Sequence, residues 1–205
     1  MHVRLLALLV LVAAALAAPA AAADRLKRHS IAGAGVSFSV PASWVALSGR
    51  ELRTEAILDQ LARENPHLAP FIRSFTQAGS PVKFVALDPA VKGGFATNLN
   101  VVSLPVPASL TFEQYRQVLL AELRTLTRGA KIAESNVRIG GNRALRLSYR
   151  FRLTAAGRAF TVQTLQYGFL RRGKSTVFTY TSTPRFAGGY TRTFQASASS
   201  IRFGS

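Results

Sequence analysis

The sequence predicts a mixed α+β domain built on antiparallel strands, and three observations carry that prediction. Between Arg143 and Ser182, three runs of alternating character (Arg143 to Leu153, Ala159 to Leu170, Thr176 to Ser182) are separated only by short turns, the pattern of an antiparallel meander. Two Ser/Thr-x-x-Glu/Gln spacings, Ser48 to Glu51 and Thr111 to Gln114, precede apolar residues at helical intervals. Thr183-Pro184 then supplies an N-cap and a first-turn proline for a closing helix. The 205 residues, 48% hydrophobic and 17% charged, suit one ordinary domain with a normal apolar core.

Taken in order, Met1-His2-Val3-Arg4 carries one cation, Leu5 to Leu16 is unbroken apolar sequence, and Ala21-Ala22-Ala23 precedes Asp24. Residues 1–23 therefore read as a secretory signal peptide, with an uncleaved anchor as the alternative because no charge falls between Leu5 and Ala23. Residues 24–35, with Arg25, Lys27, Arg28 and His29, read as a flexible basic leader, and a single domain fills residues 36–205. Val36 to Val40 alternates as a strand stopped by Pro41, and Trp44 to Leu47 resumes as a second short one. From Ser48, the residues Leu52, Ala56, Ile57 and Leu61 predict a helix of about four turns. A second amphipathic piece, Leu68 to Gln77, completes a helical insert over residues 50–78. Val82 to Leu87 and Phe95 to Leu104 read as strands, the latter closed by Pro105 and Pro107. Thr111 opens a helix carrying Phe112, Tyr115, Leu119, Leu123 and Leu126 and ending near Gly129. The meander begins after the Gly140-Gly141-Asn142 turn; the closing helix carries Phe186, Tyr190, Phe194 and Ala198, and Ile201-Arg202-Phe203 ends the chain.

Little in the sequence points to catalysis. With no cysteine there is no disulfide, thiolate nucleophile or zinc-finger pattern. His29 and His67 have no ligand-like spacing, no G-x-S-x-G elbow occurs, and neither Gly93-Gly94 nor Gly140-Gly141 has the context of a phosphate loop. Glu51, Glu55 and Asp59 share one helix face, which reads as solvated surface rather than an acid–base pair or metal site. The expectation is a non-enzyme with no cofactor and no metal.

The unusual signal is charge. The formal net charge is +17; all nine carboxylates lie between Asp24 and Glu134, and residues 135–205 hold twelve Arg+Lys and no acid. Along the first meander strand, Leu145, Leu147, Tyr149, Phe151 and Leu153 alternate with Arg146, Ser148, Arg150 and Arg152, so one face packs and the other presents guanidinium groups. The strand directions bring Arg143, Arg171, Arg172 and Lys174 to one end of the sheet, with Arg150 and Arg152 as a second group. Guanidinium forks bind phosphate and carboxylate bidentately, so these six residues are the candidate anion-binding set. The competing reading is a basic surface that only keeps the protein soluble.

Together, Phe38-Ser39-Val40-Pro41-x-x-Trp44, Asn98-Leu99-Asn100-Val101, the helix from Thr111, the Gln166-Tyr167 strand, Val177 to Thr181 and the Phe194-to-Phe203 segment resemble the PsbP-like superfamily, and within it bacterial cell-envelope proteins of the LpqN type. The resemblance implies an α/β/α sandwich, a central antiparallel sheet flanked by helices, serving as a non-catalytic binding or assembly module; no functional residue carries over. The chain departs from lipoprotein relatives in having no acylatable cysteine. The expected function is an exported, secreted or envelope-associated module docking on an anionic lipid, a wall polymer or an acidic protein partner. Nucleic acid would bind such a surface in vitro, but secretion argues against it as the physiological ligand. The alternative is a carrier of a small apolar ligand, in a pocket between the sheet and the 50–77 insert lined by Trp44, Leu58, Leu61, Phe71 and Phe75.

Overall fold

The computed structural model of the chain describes residues 25–75, 81–155 and 157–204; the signal-peptide reading of residues 1–23 lies outside the described residues. The strands are β1 (Leu26–Ile31), β2 (Val36–Pro41), β3 (Val45–Ser48), β4 (Val82–Leu87), β5 (Asn98–Pro105), β6 (Ile132–Ile139), β7 (Asn142–Ala155), β8 (Arg158–Arg171), β9 (Lys174–Ser182) and β10 (Arg202–Phe203). The helices are α1 (Glu55–Glu64), α2 (Ala69–Phe75), α3 (Phe112–Leu126) and α4 (Pro184–Ser199). No described helix is long and apolar enough to cross a membrane.

Strands β3 to β9 make a seven-stranded antiparallel sheet in the spatial order β3-β4-β5-β9-β8-β7-β6, and β1, β2 and β10 make a second, three-stranded sheet with β2 in the middle. Period-two alternation gives the large sheet two apolar faces. One carries Phe84, Leu99, Phe178, Tyr180, Tyr167 and Phe169, covered by β2 and α4 through Phe38, Tyr190 and Phe194. The other carries Leu47, Val85 and Leu87 under the insert residues Leu68, Phe71 and Ile72, and Leu145, Leu147 and Tyr149 under α3. The architecture is therefore α+β with helices on both faces of a central antiparallel sheet.

Helix α3 starts where the sequence predicts. The Thr111 hydroxyl accepts from the Gln114 N–H, and the Gln114 side chain accepts from the Thr111 N–H, a complete capping box. It packs closely because β8 has a glycine beneath it: a Cβ on Gly168 would lie 2.6 Å from the Tyr115 hydroxyl and 3.0 Å from Leu119 Cδ2. Pro184 opens α4 as expected.

Three expectations are corrected. The leader is not free chain: Leu26–Ile31 pairs with β2 over six residues, because its exposed side chains need only a backbone partner and β2 has an open edge. The Ser48–Glu51 box does not start a long helix. The Glu51 carboxylate accepts from the Ser48 N–H (2.6 Å) and hydroxyl (2.7 Å), but these bonds lead into a single 3₁₀ turn, Glu51–Arg53, and α1 begins only at Glu55. The meander also has a fourth strand, β6, whose mostly exposed side chains hide any alternation; it pairs with β7 across the Gly140-Gly141 turn.

The β1 strand sets up a pH dependence. His29 lies against Phe84 (ring centroids 4.9 Å apart) and Phe38 (6.3 Å), and its Nε2 is buried without a partner. Burial lowers its pKa below the ordinary histidine value, Lys27 lowers it further, and Glu51 opposes both. The unfolded chain therefore takes up a proton at His29 before the folded chain does, and stability falls as pH drops below about 6.5. Urea midpoints measured at pH 7.5 and 5.5 should fall for the parent and stay level for His29→Phe; an equal fall in both would assign the effect elsewhere.

Candidate functional site

A cleft of about 600 Å³ opens where one end of the large sheet meets the turn after β1. Antiparallel pairing sets the end of β3 (Ser48), the start of β4 (Lys83), the end of β5 (Ser103 to Pro105) and the start of β9 (Lys174) side by side. Ser30 to Ala34 form the facing wall, and the Lys174 ammonium spans the gap, donating to the Gly33 carbonyl at 2.6 Å. Arg50 and Arg53 reach in from the 3₁₀ turn after β3. Three residues apart in a helix of three residues per turn, they lie on one side of it. The Ser48–Glu51 bonds hold that turn, and Gly49 lets it approach β4, where a Cβ would lie 3.2 Å from the Lys83 carbonyl oxygen.

Arg50, Arg53, Lys83 and Lys174 thus share one cleft, and among the described residues no Asp or Glu lines it. Glu51, close behind, is turned onto Ser48. Ile31 and Leu104, the latter 45% exposed, add apolar surface between the cations. Such a cleft can take a phosphate or carboxylate group together with part of an attached apolar or sugar body.

The structure distributes the six sequence-predicted cations more widely. Register places Arg143, Arg171, Arg172 and Lys174 at one end of the sheet, but their side chains leave on different faces. Arg143 stacks over the Phe112 ring at 4.0 Å on the α3 side. Arg171 lies over Phe203 at 5.2 Å and donates to the Gly204 carbonyl at 3.4 Å on the β10 side. Arg172 is exposed at the turn with φ +46°, and Lys174 alone of the six lines the cleft. Arg150 and Arg152 lie farther along β7, where Arg150 is exposed and donates to Gln163 Oε1 at 2.5 Å. Arg50, Arg53 and Lys83 are absent from the sequence-predicted set, since no local pattern joins them to Lys174; only the strand order β3-β4-β5-β9 does.

The residues named for an apolar pocket beneath the insert do not come together as a set: Phe71 lines a cavity on that face of the sheet, while Trp44, Leu58 and Leu61 do not line it. Trp44 and Leu47 differ in parity along the chain, so Trp44 packs on Tyr190 on the α4 face (6.3 Å between centroids), away from the insert. Leu58 and Leu61 close the insert onto the core around Leu47, Leu68 and Phe71. Phe71 meets Phe95 edge-on, and the Phe75 side chain lies outside the described residues.

No family model matches the chain, and no curated protein matches it. Solved structures do. Cyanobacterial PsbP from Synechocystis superposes with a TM-score of 0.58 at 16% identity, covering 91% of this chain and 97% of that one. The Saccharomyces cerevisiae Ran-binding protein Mog1p superposes at 0.51 with 10% identity, covering 88% and 96%. LpqN, involved in cell envelope biogenesis in Mycobacterium tuberculosis, gives 0.49 at 11% identity over 83% of each chain. The fold is PsbP-like, in agreement with the resemblance read from the sequence.

Proposed function

We propose that this chain is an exported, non-catalytic binding module that docks on an anionic envelope component, a phosphate-bearing lipid headgroup or wall polymer or an acidic protein partner, through the cleft of Arg50, Arg53, Lys83 and Lys174. The observation that carries the reading is four cations converging on one cavity with no lining carboxylate among the described residues. An unbalanced set of this kind repels itself unless an anion joins it, and a concave site concentrates the field that draws one in. The rest of the positive surface, including Arg143, Arg171 and Arg172, would steer the approach of such a partner.

The test is binding to vesicles with and without anionic lipid, to polyglycerol phosphate and to an acidic peptide, across a salt series. Two variants are compared with the parent: Arg50, Arg53, Lys83 and Lys174 changed to Ser, and Arg143, Arg171 and Arg172 changed to Ser. The cleft variant should bind roughly thirtyfold more weakly at low salt, while the rim variant loses a few-fold and keeps most of its affinity. Equal losses in the two variants would mean diffuse charge, and no binding by the parent at moderate salt would remove the reading.

A further inference from the structure

A second cavity, of about 400 Å³, lies on the face of the large sheet away from β2, between α2 and α3. Its floor is the middle of the sheet, where cross-strand pairing lines up two rows of uncharged polar side chains. Asn98, Thr181 and Thr164 form one row and Asn100, Thr179 and Gln166 the other. Neighbours within a row are one strand apart, about 4.8 Å, and the rows are two residues apart, about 6.8 Å along the strands. On both sides the same rows turn apolar or aromatic, at Leu87 and Val85 on β4 and at Tyr149 and Leu147 on β7.

A polar island at the centre of a sheet is not how a core packs, and these groups are only partly spent on one another. Thr164 is 1% exposed and its hydroxyl has no hydrogen-bond partner. Gln166 is held by long bonds, to Thr179 Oγ1 and from the Tyr149 hydroxyl, both at 3.3 Å. Asn98 donates to the Ala96 carbonyl of its own chain segment. Phe71, Phe95, Phe151 and Leu123 supply apolar walls, Leu126 stands 67% exposed at the mouth, and among the described residues no charged side chain lines the groove.

We propose that this groove binds an uncharged, amide-bearing ligand, with its amide on the two polar rows and an apolar side group between α2 and α3. A charged ligand would be desolvated there with no counterion, and a purely apolar one would leave the Thr164 hydroxyl unpaired and offer the carboxamides nothing beyond the bonds they already make. A primary amide carries an N–H syn to its C=O, as the side chains of Asn98, Asn100 and Gln166 do, so the two can pair through parallel N–H···O bonds. The separation of the rows also equals the two-residue repeat of an extended peptide. The volume is within the range of small-ligand sites.

The test is a titration of isotope-labelled protein with N-acetylphenylalaninamide, followed by NMR, with toluene and methyl glucoside as the apolar and hydroxyl-only comparators. The amide should give saturable shifts at the side-chain NH₂ signals of Asn98, Asn100 and Gln166, insensitive to salt. Thr164→Val should weaken binding about five- to tenfold, and Thr164→Ser should retain it. The four-cation cleft variant should bind the amide as the parent does, which separates this result from the anion reading. The proposal is overturned by an unchanged affinity in Thr164→Val, by tighter binding of toluene or the glucoside than of the amide, or by no shifts at roughly 10 mM probe.

Discussion

Phe38→Ala is expected to destabilise the protein by about 3–5 kcal/mol. Phe38 is 0% exposed and stands on β2 at the joint between the two sheets, with its ring edge-on to Phe84 (4.9 Å) and Phe178 (5.1 Å). Truncation loses the transfer free energy of the ring and leaves a cavity that strands on both sides hold open. It also removes two aromatic contacts worth about 0.5–1.5 kcal/mol each beyond burial. Against a total stability of about 5–15 kcal/mol, the loss should lower the urea midpoint by about a fifth or more. Phe38→Leu, which refills most of the volume, should recover over half of it. If Phe38→Ala cost under about 1 kcal/mol, the small sheet would be a loosely attached flap and not part of the core.

Gly140→Ala should cost about 3 kcal/mol and Gly141→Ala only about 1 kcal/mol, although the two residues are neighbours in one turn. Both have positive φ, +54° and +79°, as a tight hairpin turn between β6 and β7 requires. Only Gly140 also touches another part of the chain. A Cβ there would lie 2.6 Å from the Ile201 carbonyl oxygen and 3.2 Å from Arg202 Cδ, whereas a Cβ on Gly141 meets nothing within 4 Å. The first substitution therefore adds a backbone collision to the conformational strain, and the segment leading into β10 must move. Thermal unfolding of the two variants side by side measures the difference; equal losses would mean that the strain of positive φ is the whole effect.

Features confined to a few neighbouring residues are legible in the sequence. The capping box at Thr111 and Gln114, the proline that opens α4 and the alternation that buries Leu145, Leu147 and Tyr149 each depend on a local period or a local hydrogen bond. The leader escapes local reading for the opposite reason: Lys27 and Arg28 break any apolar alternation, and β1 is placed by the backbone edge of β2, with His29 and Ile31 as its inward side chains. The two cavities lie beyond local pattern altogether. Asn98 and Asn100 are visibly two apart in the sequence, but their meaning depends on Thr181, Thr179, Thr164 and Gln166 falling opposite them, which is decided by β9 inserting between β5 and β8. The cationic cleft needs the same non-local pairing to bring Lys174 beside Lys83 and Arg50.

The two-residue strand β10 makes the last part of the chain a structural partner of the first. Arg202 and Phe203 pair with Ser37 and Val36, and the Ser39 N–H donates to the Ser200 hydroxyl, 161 residues away. A nascent chain leaving a ribosome or a translocation pore N-terminus first can form the β1–β2 hairpin early, but β2 has no second partner, and Phe38 no complete cover, until the C-terminus is released. Such long-range closure slows folding and keeps the half-made core exposed in the meantime. A chain threaded N-terminus first through a pore would therefore acquire its final stability only after residues 200–204 are free on the far side. A C-terminal fusion that holds residues 200–204 inside the pore would arrest it one strand short of completion.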